Sequence, residues 1–278
     1  MEKLIFTTPD AWNNEISFGC ATQRFANTEG NSYTFEKELQ GIVLTGPYAE
    51  ILEKAQTAQK ADAAVVVFGN AGGENNFLKE LQKIISCPMV GGGAAFTHTP
   101  GRVTGGGEAA VFLIRDDRYI FEAVTECIHT ELVDTCKLTL TDDRTIATIN
   151  GQDGTSYLDA KKEKLGLPLT DFEHLTLTDK KGVNAHLSRH GDVIKSGRDL
   201  DEEMDLRYVP LELVYDRIRA FYDDENAIIF GCAGLGGLLD KPLNTQNLGL
   251  FLFGEVCTVD GIAEFGNLML SKLRILPR

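Results

Sequence analysis

The sequence predicts an α+β protein of two related halves, with mixed and antiparallel sheets covered by helices. Three observations carry this reading. A short apolar run that breaks at Phe-Gly into a glycine-rich turn occurs twice, over residues 63–73 and 227–237. About twenty residues later each copy has a second glycine-rich stop, at residues 88–94 and 251–255, and then one more strand-like run, at 108–114 and 268–275. Beyond residue 114, β-branched runs alternate with polar turns such as Asp116-Asp117 and Thr141-Asp-Asp143, the pattern of antiparallel hairpins. The change of texture over residues 114–119 divides the chain into 1–115 and 116–278.

The elements follow in order. Residues 4–6 and 16–18 are short strand candidates, and the polar span 27–37 reads as loop because it holds Thr28, Gly30, Asn31 and Ser32. Residues 47–58 form a helix, with Pro47 in its first turn and Tyr48, Ile51, Leu52 and Ala55 on one face. The run 63–68 is a buried strand. Residues 74–86 form a second helix with Phe77, Leu78, Leu81, Ile84 and Ile85 as its apolar stripe, ended by Pro88. Strands are expected at 119–129, 135–140 and 145–149. A helix over 156–165 takes Ser156 as its cap. Strands at 174–177, 184–187 and 204–208 follow. Pro210 then opens a helix over 211–221 that buries Leu211, Val214, Tyr215, Ile218 and Phe221. Apolar runs at 227–230 and 248–253 come next, the second ending at Gly254-Glu255, before the run at 268–275.

Composition removes several function classes. The 278 residues suit one large or two modest domains. Against 27 basic residues stand 41 acidic ones, a net charge of −14 that repels phosphate backbones and anionic membrane surfaces. The first residues turn polar too soon for a signal peptide, and no apolar run approaches the roughly twenty residues of a membrane helix. Six cysteines without a C-x-x-C spacing read as reduced, mostly buried thiols, so the expected compartment is the cytoplasm.

Site chemistry narrows to a few residues. Gly231, Gly234, Gly236 and Gly237 follow a strand, but their spacing is not G-x-G-x-x-G, and Pro242 cuts the next helix short of a phosphate site. No glycine loop runs into G-K-[ST]. Cys232 occupies a strand-to-turn corner suited to a nucleophile, yet residue 230 is Phe where an elbow needs Gly. The five histidines lack zinc spacing with cysteine, and residues 199–203 lack a calcium-loop glycine, so no metal site is expected. Glycine corners at Gly72 and at Gly91, Gly92 and Gly93, with Asn70 in the place that Cys232 takes in the second copy, offer backbone N–H groups. Glu255 and Asn267 add a carboxylate and an amide. Such a set would hold an amino acid, its ammonium on Glu255 and its carboxylate on glycine N–H groups. The bland alternative makes Glu255 an exposed turn residue and Asn267 the closure of an Asx turn.

Phe230-Gly-Cys232-Ala-Gly234, followed by Gly254-Glu255 and Gly266-Asn267, resembles the C-terminal FIST domain (F-box and intracellular signal transduction). The turn-rich residues 191–200 are similar to that domain's lead-in, and Val65-Val-Val-Phe68 with Val90-Gly-Gly-Gly93 looks like the N-terminal FIST domain. Leu235 stands where the family pattern has a basic residue. The resemblance implies a non-enzymatic sensor that binds a small polar ligand through Asn70, Gly72, Gly91, Gly92, Gly93, Cys232, Gly234, Gly254, Glu255 and Asn267. It also implies a signalling partner protein that reads the bound state. A subset of FIST-like proteins is associated with haem, which leaves a haem sensor open. An enzyme with Cys232 as nucleophile and an acidic docking scaffold are the other readings.

Overall fold

The computed structural model describes residues 5–7, 14–17, 22–26, 32–36, 39–58, 60–69, 72–93, 96–99, 102–104, 107–169, 172–239, 249–252 and 254–278. In chain order the first elements are β1 (Ile5–Thr7), β2 (Asn14–Ser17), β3 (Thr22–Ala26), β4 (Ser32–Glu36), β5 (Gly41–Pro47), α1 (Tyr48–Ala58), β6 (Ala63–Phe68), α2 (Glu74–Ile84) and β7 (Met89–Gly93). Then come β8 (Phe96–Thr99), β9 (Arg102–Thr104), β10 (Glu108–Ile114), β11 (Tyr119–Glu126), β12 (Glu131–Asp142), β13 (Thr145–Ile149), β14 (Gln152–Asp153) and α3 (Gly154–Leu165). The rest are β15 (Leu175–Thr178), β16 (Asn184–Ala185), β17 (Leu187–His190), β18 (Val193–Ser196), β19 (Glu203–Tyr208), α4 (Leu211–Tyr222), β20 (Ala227–Cys232), α5 (Ala233–Gly237), β21 (Gly249–Leu252), β22 (Glu255–Val259), β23 (Ile262–Gly266) and β24 (Leu270–Pro277).

Strands dominate, so the architecture is a mostly β assembly of mixed sheets rather than the α+β class expected. The helical stripes misled because they are real but few. One sheet runs β23-β22-β7-β6-β10-β5, and a second runs β11-β24-β20-β21. In the first, β6 and β7 are parallel while β10 is antiparallel to both β6 and β5. In the second, β20 and β21 are parallel while β24 is antiparallel to both β20 and β11. The order β5-β10-β6-β7 therefore matches β11-β24-β20-β21 strand for strand and sense for sense. The hairpin β22–β23 leaves the second sheet and extends the first, pairing Glu255 with Gly92 and Val256 with Gly91.

Burial on two faces explains the uninterrupted apolar run of β6. Ala64, Val66 and Phe68 pack with Ile51, Ala55, Phe77, Leu78 and Leu81 of α1 and α2. Ala63, Val65 and Val67 join the cluster that holds Ile229, Leu273 and Ile275 of the second sheet. On the far side of that sheet lies α4. Lys272 of β24 points to it, with Nζ 4.4 Å from the Phe221 ring centroid and donating to the Phe221 carbonyl at 3.2 Å. Its neighbour Ser271 faces the other way and donates to the Val256 carbonyl at 2.8 Å.

The third body is a barrel. The path β16-β15-β19-β12-β13-β18-β17 begins and ends on the single segment 184–190, which pairs with β15 through β16 and with β18 through β17. Closure leaves few sheet edges, and its interior holds Leu138, Ile149, Leu158, Leu177, Leu187 and Leu206. The helix of this unit is capped by Asp153, whose carboxylate accepts from the Ser156 N–H at 2.9 Å, three residues before the expected start. Gly166 ends it at φ 70°.

Several expectations change in place. The polar span 27–37 contains β4, whose partner β3 supplies the pairing that polar composition does not advertise. The expected strand 184–187 is broken at His186. Residues 193–196, read as turn, form β18. The strand β5 was not foreseen at all.

Candidate functional site

The site forms where the second sheet, the β22–β23 hairpin and the barrel meet. Gly254, at φ 85°, turns the chain from β21 into β22, so Glu255 opens a strand instead of closing one. That register sends its side chain inward, and Glu255 is fully buried. Its Oε2 accepts from the Met269 N–H at 3.2 Å, and its Oε1 has no hydrogen-bond partner. Burial pushes the carboxyl well above the usual carboxylate range. The bland reading of Glu255 as an exposed turn residue is therefore overturned.

Cys232 ends β20 beside this carboxyl. Burial, and then the Glu255 charge, push its thiol up to about 12. The backbone N–H groups of Leu268, Gly234 and Gly254 face its sulfur. Leu268 adopts φ 53°, a left-handed conformation that is costly for a bulky residue. The twist sets three neighbours at once: its own N–H turns toward the sulfur, the Met269 N–H reaches Glu255, and its carbonyl accepts from Asn184 Nδ2 at 3.2 Å.

Asn267 is buried, and its Oδ1 also lacks a partner. It is wedged between two glycines. A Cβ on Gly197 would stand 2.6 Å from Oδ1, and one on Gly254 would stand 2.7 Å from Nδ2. Side chains at either position would expel the amide. Its N–H donates to the Asn184 carbonyl at 3.0 Å, which ties the barrel to the site.

The first corner is built otherwise. Gly91 has φ 137°, and a Cβ there would fall 1.8 Å from the Val66 carbonyl oxygen, so strand packing alone requires glycine. Gly92 pairs with Glu255, and the Gly93 N–H donates to the Gly254 carbonyl at 2.9 Å. That N–H is consequently engaged in the sheet. Gly72 lies apart, after β6, where its N–H donates to Glu74 Oε1 at 2.6 Å. Asn70 falls outside the described residues. Gly234 adjoins both the site and the barrel: its Cβ position is 3.8 Å from Cys232 Sγ and 3.4 Å from Glu173 Cγ.

Sequence reasoning missed the barrel's share. Asn184 donates from Nδ2 toward Cys127 Sγ at 3.0 Å, and its Oδ1 accepts from Thr178 Oγ1 at 2.7 Å. His129 is buried, its Nε2 lies 2.7 Å from the Glu173 carbonyl, and burial lowers its pKa to about 4. These residues are far apart in sequence and carry no motif. Among the described residues no group of three or more His, Cys, Asp and Glu side chains is arranged to hold a metal ion, and no helix is long and apolar enough to cross a membrane.

The chain matches no known protein-family model, and no curated protein is significantly similar to it.

Proposed function

We propose that this protein binds a small polar metabolite at the Glu255–Asn267 corner and reports its presence to a partner protein in the cytoplasm, without turning it over. One observation carries the reading: two buried side-chain oxygens, Glu255 Oε1 and Asn267 Oδ1, have no hydrogen-bond partner. Buried polar atoms left unpaired cost about 1–3 kcal/mol each. A ligand that brings donors recovers that cost, so the fitting ligand carries an amino group, as an amino acid does. An ammonium beside Glu255 would also draw its carboxyl back to the ionised form. Resemblance to the FIST domains supports the same ligand class. The matching strand order of the two sheets supports descent of both halves from one unit, and among the described residues the polar corner lies in the second.

A thermal-shift panel of amino acids and simple amines tests this. A ligand at a hundred times its Kd adds about 2.7 kcal/mol, several degrees for a chain of this size. Loss of the shift in Glu255→Gln would place the ligand at this corner. A panel without a hit, or a hit indifferent to Glu255→Gln, would overturn the proposal. The thiol held protonated near Cys232 argues against the nucleophile reading.

A further inference from the structure

Two carbonyls give a single direction to a chain of hydrogen bonds that runs from the barrel into the corner. The Glu173 carbonyl can only accept, so His129 Nε2, 2.7 Å from it, carries the ring proton. His129 Nδ1 is then the acceptor, with Asn184 Nδ2 3.3 Å away. The Leu268 carbonyl can likewise only accept, and the same Nδ2 donates to it at 3.2 Å. These two partners take both hydrogens of Nδ2; Cys127 Sγ, also close to it, is the weakest acceptor of the three. On the other side of the amide, Oδ1 accepts from Thr178 Oγ1 at 2.7 Å and from Cys127 Sγ at 3.3 Å. Burial pushes the Cys127 thiol up, which keeps the proton that this bond needs. The buried Asn184 amide thus has one orientation that satisfies every partner. Its main-chain carbonyl accepts from the Asn267 N–H at 3.0 Å, so one residue grips 267 and 268 together.

We propose that Asn184 is the positioning residue of the Glu255 corner: keyed by neutral His129, its amide holds Leu268 in the left-handed turn that delivers the Met269 N–H to Glu255. Its effect on ligand affinity rests on the binding reading above; its effect on Leu268 and Met269 does not. A proton on His129 reverses the key. Nδ1 becomes a donor and meets the Asn184 N–H groups, and turning the amide over sets Oδ1 against the Leu268 carbonyl. Burial lowers the His129 pKa to about 4, so the hold is intact at neutral pH and is lost in acid. The titratable and charged groups around this ring are Glu173 and His174 ahead of β15, His186 after β16, Arg217 of α4, Arg207 of β19 and Cys127 in its own segment.

The test follows the Leu268 and Met269 amide shifts in the full chain as pH falls from 7 to about 3.5. Glu255→Gln serves as the background, because the Glu255 carboxyl titrates above its ordinary range and would move the same amides. Both amides should shift in one step with the His129 ring, and the step should vanish in His129→Gln. In the same background, Asn184→Ala should show them at their acid position already at pH 7. With Glu255 restored, Asn184→Ala should raise the carboxyl's titration further, since the Met269 N–H no longer favours the anion. Ethylamine affinity should fall about tenfold with it, the worth of one hydrogen bond to a charged group. Should Asn184→Ala fail to fold, the acid step and His129→Gln decide; should acid unfold the chain first, Asn184→Ala decides. Amides indifferent to the His129 ring, a step that survives His129→Gln, or a Met269 amide unchanged in Asn184→Ala would overturn the proposal. Ethylamine that fails to bind the parent counts against the binding reading alone, and the amide shifts still judge Asn184.

Discussion

The two parallel strand pairs, β6–β7 and β20–β21, occupy the same place in sheets of matching order, yet the described residues of their corners differ. At the first, glycine serves packing: Gly91 admits the Val66 backbone, and Gly93 gives its N–H to Gly254. At the second, a thiol, a carboxyl and an amide converge, and two side-chain oxygens stay unpaired. The donated hairpin β22–β23 links the corners, because Glu255 pairs with Gly92 through its backbone while its side chain belongs to the other corner. Shared topology thus supplies the frame, and the polar difference is where the proposed binding corner lies.

The largest effect tests the packing corner. Gly91→Ala should cost at least ~4 kcal/mol and leave little folded protein, since the clash is with backbone that has nowhere to go. Soluble yield and denaturant unfolding measure it. Near-native stability would mean that β6 and β7 are not so closely paired. Gly254→Ala comes next, at about 3 kcal/mol. It combines a φ of 85° with a Cβ 2.4 Å from the tip of the Phe265 ring, and a side-chain ring can yield where a backbone cannot. The same substitution pushes on Asn267, so amine binding should fall by more than stability alone explains.

How much of this contrast was legible in the sequence depends on how local each part is. The repeat of 63–73 in 227–237 was visible because a doubly buried strand needs a continuous apolar run, and its pairing partners recur at similar distances. Helices α1, α2 and α4 were visible through their stripes, although Pro47 ends β5 instead of entering the first turn of α1 and Leu211, expected on the buried face of α4, is exposed. The barrel was not, because closure at residues 184–190 joins strands that share no motif. Nor was the inward turn of Glu255. One residue of register decides whether it faces solvent or core, and that register is set by Gly92, far away in the chain. Asn267 was found as a polar residue after Gly266, but its wedge between Gly197 and Gly254 is a tertiary fact.

A smaller effect separates the corners by pH. The Glu255 carboxyl is raised by burial from its ordinary 4.5, so the folded state holds a proton that the unfolded chain releases. The associated stability is complete below about 4.5 and is lost as pH rises toward the raised value, by at most about 1.4 kcal/mol per pH unit. Glu255→Gln should remove this slope, matching the parent near pH 5 and exceeding it at pH 9 in urea midpoints. In the same samples Cys232 should react with an alkylating agent only as fast as the protein opens. Rapid labelling of Cys232 in the native state at pH 7 would revive the nucleophile reading.

The smallest effect lies on the barrel side and has the opposite sign. The His186 imidazole holds the Glu173 carboxyl at about 2, below its ordinary 4.5. Its contribution is therefore complete above 4.5 and is lost as pH falls toward 2. Since 36% of the Glu173 side chain is exposed, solvent screens the pair and the loss should stay within a few tenths of a kcal/mol. Glu173→Gln should flatten the acid limb of the stability curve and leave the alkaline limb intact, while Glu255→Gln does the reverse. If either substitution changed both limbs, the two carboxyls would be coupled across Gly234, the residue that touches both neighbourhoods.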